Sequence, residues 1–153
     1  MSPLVLFRRL ALAEATTWAL LLIGMVLKYV TRTTELGVQV FGMVHGIVFI
    51  AYCLTTVFVA VNQRWSARVT LLGLVSAVPP FMTVWFDRWA ERRSLLAGGW
   101  RLASGGETPR SLPEKVQAKM LARPVAALAV ALLAVAALTA VALLVGPPAG
   151  SPS

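Results

Sequence analysis

One cysteine, Cys53, and one histidine, His45, are all that the chain of 153 residues offers in soft or imidazole ligands. A lone cysteine excludes an intrachain disulfide and any CxxC metal pair. A lone histidine, with only six acidic residues, leaves no set of ligands at metal-binding spacing. No nucleophile–base pair and no paired carboxylates stand out, so the reading is of a protein that is not an enzyme and carries no cofactor. Charge is scarce as well. Charged residues make up 13% of the chain, against about 25% in soluble domains.

What is abundant is apolar. The apolar fraction is 58% and the mean hydropathy +0.78, a membrane composition. The net charge of +8 does not indicate a nucleic-acid surface, because the basic residues lie between apolar runs. They read as membrane-flanking charges that attract anionic lipid headgroups.

Four runs approach the roughly 20 apolar residues a helix needs to cross a bilayer. They cover residues 10–30, 38–61, 69–86 and the Ala/Val/Leu segment 124–145. The fold class expected is all-α, with four transmembrane helices: a three-helix core over residues 7–93 and an appended Ala-rich helix over 124–146. Residues 94–123 are expected to form a basic loop. Its Ser111-Leu-Pro-Glu114 reads as a capping box opening a short helix. The tail 147–153 reads as disordered. The first run has two arginines before it but no small-residue cleavage site after it, so a retained helix is expected rather than a signal peptide. Trp85 and Trp89, one turn apart, suit an interfacial aromatic belt.

If four helices alternate, the loops after helices 1 and 3 share one side. Together they hold ten of the fourteen basic residues. The positive-inside rule then places both loops in the cytoplasm and both termini outside.

Glu14 and His45 are the ionisable residues well inside apolar runs, with Lys28 near the end of the first; such residues are costly and often functional. Counted from Leu10 and Val38, Glu14 lies about 6 Å inside one face and His45 about 10 Å inside the other. Roughly 14 Å of depth then separates them, so no direct pair is expected. Arg68 is the expected ion-pair partner of Glu14. Gly42 and Gly46 flank His45 at GxxxG spacing and suggest a close helix crossing, with Gly37 in a loop. His45 would then hydrogen-bond a backbone carbonyl or Thr83 as a satisfied core histidine. A proton relay and a metal ligand are the alternatives.

Several of these residues occur together in a known order. An early Arg precedes Glu-Ala-x-x-Trp, then Leu-Lys-Tyr, His-Gly, Arg-Trp, Pro-Pro-Phe and Phe-Asp-Arg. This set resembles a bacterial integral membrane domain with three predicted helices, domain of unknown function 3817, over about residues 7–93. His45 and Gly46 carry its His-Gly dipeptide, Glu14 its acidic residue, and Lys28 and Tyr29 its Lys-Tyr. Ala15 stands where that family usually has Gly, and Val26 where it usually has Pro. The resemblance implies a multi-pass protein of a bacterial cell membrane without an established activity. Occasional fusion of such domains to transporter domains implies an accessory role. The function expected is a non-catalytic packing partner of another membrane protein, or a homo-oligomer. The alternative is a small proton-linked exchanger acting as an oligomer.

Overall fold

A computed structural model of the chain describes residues 1–145. Every regular element among them is helical. The expectations for the tail, and for the C-terminus itself, lie outside the described residues. Helix α1 covers Pro3–Met25 and runs on into a wider π-helical turn, Val26–Val30. Helix α2 covers Leu36–Gln63, α3 Ala67–Val75, α4 Met82–Arg92, α5 Leu112–Ala122 and α6 Pro124–Val145. Three of these are long and apolar enough to cross a membrane: Pro3–Val30, Leu36–Gln63 and Pro124–Val145.

Helix α1 starts seven residues before the apolar run does. Ser2 caps it by accepting a hydrogen bond from Val5 N (3.3 Å), and Pro3 occupies the first turn, where its missing N–H costs nothing. Arg8 and Arg9 are therefore within the helix. Helix α2 returns antiparallel to α1 and ends at Arg64, which adopts a left-handed conformation (φ 52°) while Trp65 N donates to Ala60 O (2.9 Å).

All four apolar runs are helical, but the third is divided. Helix α3 tightens at its end, where Ala77 N and Val78 N donate to carbonyls three residues back. Pro79 and Pro80 then stop it, and Phe81 turns the chain with φ 64°. Helix α4 runs back the way α3 came. Thr83, at its start, donates to Ala11 O (3.1 Å), while Asp87, one turn on, meets Arg8. The α3–α4 pair is thus a helical hairpin that enters and leaves at the N-terminal end of α1. Phe7 is its anchor, with ring centroids 5.5 Å from Tyr52, 5.9 Å from Trp65 and 5.8 Å from Phe86.

The hairpin corrects the topology. The loop at 31–35 and the stretch at 93–123 emerge at opposite ends of the bundle, where four alternating crossings would bring them to one end. The N-terminus and the far end of α6 are likewise at opposite ends. The third run, expected as one full crossing, is instead two short helices on either side of Pro79 and Pro80.

The close crossing is also elsewhere. A Cβ on Gly24 would lie 2.7 Å from the carbonyl carbon of Gly37, while one on Gly46 would meet nothing within 4 Å and one on Gly42 only Leu21 at 3.8 Å. Gly37 belongs to the first turn of α2 and sits against Gly24 of α1. The GxxxG stripe at Gly42 and Gly46 does not make this contact.

Gly37→Leu should therefore lower stability by about 1–3 kcal/mol through overpacking, while Gly46→Leu stays within about 0.5 kcal/mol of the parent. Thermal unfolding in detergent ranks the two, and the reverse ranking would remove the Gly24–Gly37 contact as the crossing point.

Candidate functional site

Glu14 is fully buried between α1 and α4. Its Oε2 lies 2.8 Å from Thr83 Oγ1, and its Oε1 has no partner. Thr83 has one hydroxyl proton and two oxygens within reach, Glu14 Oε2 and Ala11 O. If the hydroxyl serves the carbonyl, only a carboxylic acid proton on Glu14 completes the second bond. Arg68, the expected partner, forms no ion pair among the described residues. It stands at the first turn of α3, at the mouth of the hairpin, whereas Glu14 is level with the start of α4.

His45 is buried on the face of α2 that packs on α1. Its Nδ1 is 3.0 Å from Thr17 Oγ1, and its ring lies 4.6 Å from that of Trp18 and 6.3 Å from that of Phe49. Thr17 in turn donates to Glu14 O (2.9 Å). Glu14 and His45 thus lie about one helical turn apart in depth, roughly 5 Å for three residues. The larger separation expected came from starting α1 at Leu10. They make no direct bond, as expected, and Thr83 goes to Glu14 rather than to His45. Lys28 is at the other end of α1, 3.6 Å from Glu35 and over the Tyr29 ring.

The second polar cluster lies where α2 ends. Arg101 donates through Nε to Asn62 O (2.8 Å) and through Nη2 to Val61 O (3.2 Å), satisfying carbonyls that the helix terminus leaves free. The same guanidinium binds Glu114 (2.7 Å) and Glu107 (3.1 Å). Buried Asn62 accepts from Arg101 N (2.9 Å) and donates to Gly99 O (3.2 Å). Gln117 of α5 donates to Phe58 O (2.7 Å). The expected capping box is formed by Ser111 and Glu114. Arg101 and Asn62 gave no signal in sequence, because a helix end is capped here from 39 residues away. The arrangement is a latch that pins the 93–110 stretch and α5 onto α2.

The two clusters respond differently to change. Thr83→Val should cost about 1–3 kcal/mol by leaving both Glu14 oxygens unpartnered, and a further Glu14→Leu should recover most of it. A double-mutant cycle on thermal unfolding measures this, and additive losses would show that the two side chains are not coupled. Glu114 is held down to about 2, from an ordinary 4.5, by the Arg110 backbone N–H and then the Arg101 guanidinium. Its stabilisation is complete above about pH 4.5 and is lost as pH falls through about 2. Proteolysis within 98–110 should accelerate over that window, and Glu114→Gln should show the fast rate at pH 7.

Comparison with known proteins now has a structure to refer to. A protein of Streptomyces coelicolor named as a membrane protein is 52% identical over 91 residues, which are 59% of this chain and 11% of that protein. The membrane protein YdzA of Bacillus subtilis, named as uncharacterised, is 31% identical over 88 residues, 57% of this chain and 91% of that protein. The chain therefore spans nearly all of the Bacillus relative and a small part of the Streptomyces one. No solved structure matches. Residues 4–92, which comprise α1, α2 and the hairpin, match the family described as Domain of unknown function (DUF3817), and the chain belongs to that family of membrane proteins.

Proposed function

We propose that the protein is a non-catalytic membrane module whose hairpin tip packs against another membrane protein. The observation that supports this is the tip itself. Ala77 O accepts from Trp18 Nε1 (3.3 Å), which sets the turn beside the middle of the α1 span. There, residues 76–81 form irregular backbone, and Val78, Phe81, Met82 and Trp85 are exposed. Irregular backbone at membrane depth is tolerated where protein covers it, not where lipid does. A partner surface over the tip supplies that cover. The domain's presence within a far longer Streptomyces relative fits a module that serves other membrane segments.

Charge gives the orientation we infer. Only Lys28 and Arg32 of the fourteen basic residues lie at the 31–35 end of the bundle; the other twelve lie at the opposite end. This bias is steeper than the one expected from four alternating spans, and it puts the N-terminus, the 93–110 stretch and α5 in the cytoplasm. The module would sit in the bacterial cell membrane with the 31–35 loop outside.

A second reading draws on Glu14. Its unpartnered, fully buried Oε1 suits a proton-binding group in a proton-linked exchanger. The hollows beside α2, one at Phe49, Cys53 and Leu138 and one at Arg64, Trp65 and Thr70, are lined by neither Glu14 nor His45, which favours the packing reading.

A photo-crosslinking residue at Val78 should capture a membrane protein in cells, while one at Val125, exposed at the start of α6, should not. Capture of lipid alone at Val78 would sink the packing reading, and proton flux in proteoliposomes abolished by Glu14→Gln would install the second. For orientation, in a Cys53→Ala background, a cysteine at Thr33 should react with an impermeant thiol reagent in intact cells and one at Ser104 should not. The opposite pattern would invert the topology.

A further inference from the structure

The chain has six acidic residues, and each is already engaged. Glu14 bonds Thr83 in the core, and Glu35 meets Lys28 at the far end of α1. Asp87 and Glu91 both hold Arg8. Glu107 and Glu114 are shared between Arg64 and Arg101. No carboxylate is left for the arginines of α4 and its C-cap. Arg88, Arg92 and Arg93 are exposed and form no ion pair among the described residues.

Two of these arginines lie on one stripe. Helix α4 buries Thr83, Phe86, Asp87 and Ala90 against the bundle. On its other side Phe81, Trp85, Arg88 and Arg92 are exposed, at spacings of four, three and four. A second helix lies at a shallow angle along such a stripe. Beside it, the Trp85 and Trp89 rings stack with centroids 6.2 Å apart, and the Arg93 guanidinium sits 5.2 Å from the Trp89 ring. The indole N–H groups of Trp18, Trp65 and Trp100 each donate to a backbone carbonyl, whereas those of Trp85 and Trp89 donate to nothing among the described residues. The stripe thus offers two spare donors above a row of unmatched positive charge.

Contacts with α1 set the depth of each level. Ala77 lies beside Trp18 and Asp87 beside Arg8. From Trp18 to Arg8 is about 15 Å of helix, half of a bilayer core of about 30 Å. With the tip at mid-membrane, Arg88 is at the edge of the hydrocarbon and Arg92 one turn beyond it. The stripe is continuous with the tip, whose irregular backbone lipid does not cover. A second copy does not suit it. Copies in one membrane share an orientation, and a two-fold axis along the membrane normal brings equal depths together, arginine against arginine. Charge complementarity calls for a different chain that carries acid at this level.

We propose that the outer face of α4 receives one transmembrane helix of a different protein, apolar where it meets Phe81 and Trp85 and bearing a carboxylate level with Arg88 and Arg92. This names the chemistry of the partner at the hairpin tip and rests on the packing reading of that tip.

The test is photo-crosslinking in living cells, with p-benzoylphenylalanine placed singly at Val78, Trp85 and Arg92 and the crosslinked peptides sequenced. Trp85 and Arg92 should capture the same apolar segment of one other protein, with an Asp or Glu within one turn of the Arg92 crosslink. Arg88→Gln with Arg92→Gln should reduce the yield at Trp85 roughly fivefold, and changing the captured carboxylate to its amide should do the same, with little further loss when the changes are combined. Both arginines are exposed, so the glutamines leave the fold intact. Lipid alone at Arg92, a second copy at Trp85, a captured segment without a carboxylate, or a yield that the glutamines do not move would each overturn the proposal. Protein captured at Val78 in any of those cases leaves the packing reading standing. No protein at any of the three positions sinks both.

Discussion

Proline has no amide proton, and its ring collides with the carbonyl four residues before it in a helix. Two prolines in succession, Pro79 and Pro80, stand near the centre of an apolar run that would otherwise span a membrane. The rest of the architecture depends on them. Because α3 must stop after Val75, the chain turns beside Trp18 and α4 retraces the path. Because α4 retraces the path, Asp87 and Glu91 arrive beside Arg8, at 2.9 and 2.6 Å. A continuous helix would carry both acids to the opposite end of α1, beside Lys28. The break also decides where the basic segment beyond α4 emerges, and so where the charge of the whole molecule gathers.

A turn at membrane depth frees backbone groups that water cannot serve, and the neighbouring helices serve several of them. Trp18 Nε1 donates to Ala77 O, and the Tyr52 and Ser76 hydroxyls lie 3.2 and 2.7 Å from Gly73 O. Gly73 is required on packing grounds as well: a Cβ there would lie 2.9 Å from Thr56 and 3.1 Å from the Phe86 ring. Glu14 belongs to this support. Its bond to Thr83 ties the first turn of α4 to α1, at the point where the hairpin has just reversed.

Much of this was legible in the sequence. The apolar runs gave the helices and the membrane class, and the Ser111–Glu114 spacing gave the start of α5. Pro79-Pro80 was a visible turn signal, but the length and hydropathy around it outweighed it, so one span was read where two short helices occur. Ser2-Pro3 likewise announced the start of α1, and placing that start at Leu10 misjudged the depth of Glu14. Other features had no local signature. Gly24 and Gly37 meet because they lie on opposite sides of a short connection, not because of a spacing along one helix. Arg101 caps α2 across a long stretch of chain. The partners of Glu14 and His45 followed from the path of the hairpin, which charge and periodicity do not encode.

The two parts of the family domain are held in different ways, and this bears on which of them can move. Helices α1 and α2 are long, and they meet along their length, from the glycine contact at one end to Phe7 and Tyr52 near the other. The hairpin helices have 9 and 11 residues, shorter than the roughly 12–15 at which an isolated helix becomes even marginal in water. Their order therefore comes from tertiary contacts with α1 and α2 rather than from their own propensity. Trp65 Nε1 donates to Leu95 O (2.8 Å), binding the two feet of the hairpin together at the charged end. With the feet tied, a displacement of the hairpin would appear at its tip, where the bonds are those of Trp18, Tyr52 and Thr83. A protein seated on the tip would act on those bonds directly, and through Thr83 it would act on Glu14. The buried carboxyl and the turn are thus joined through one side chain, Thr83, at the first turn of α4.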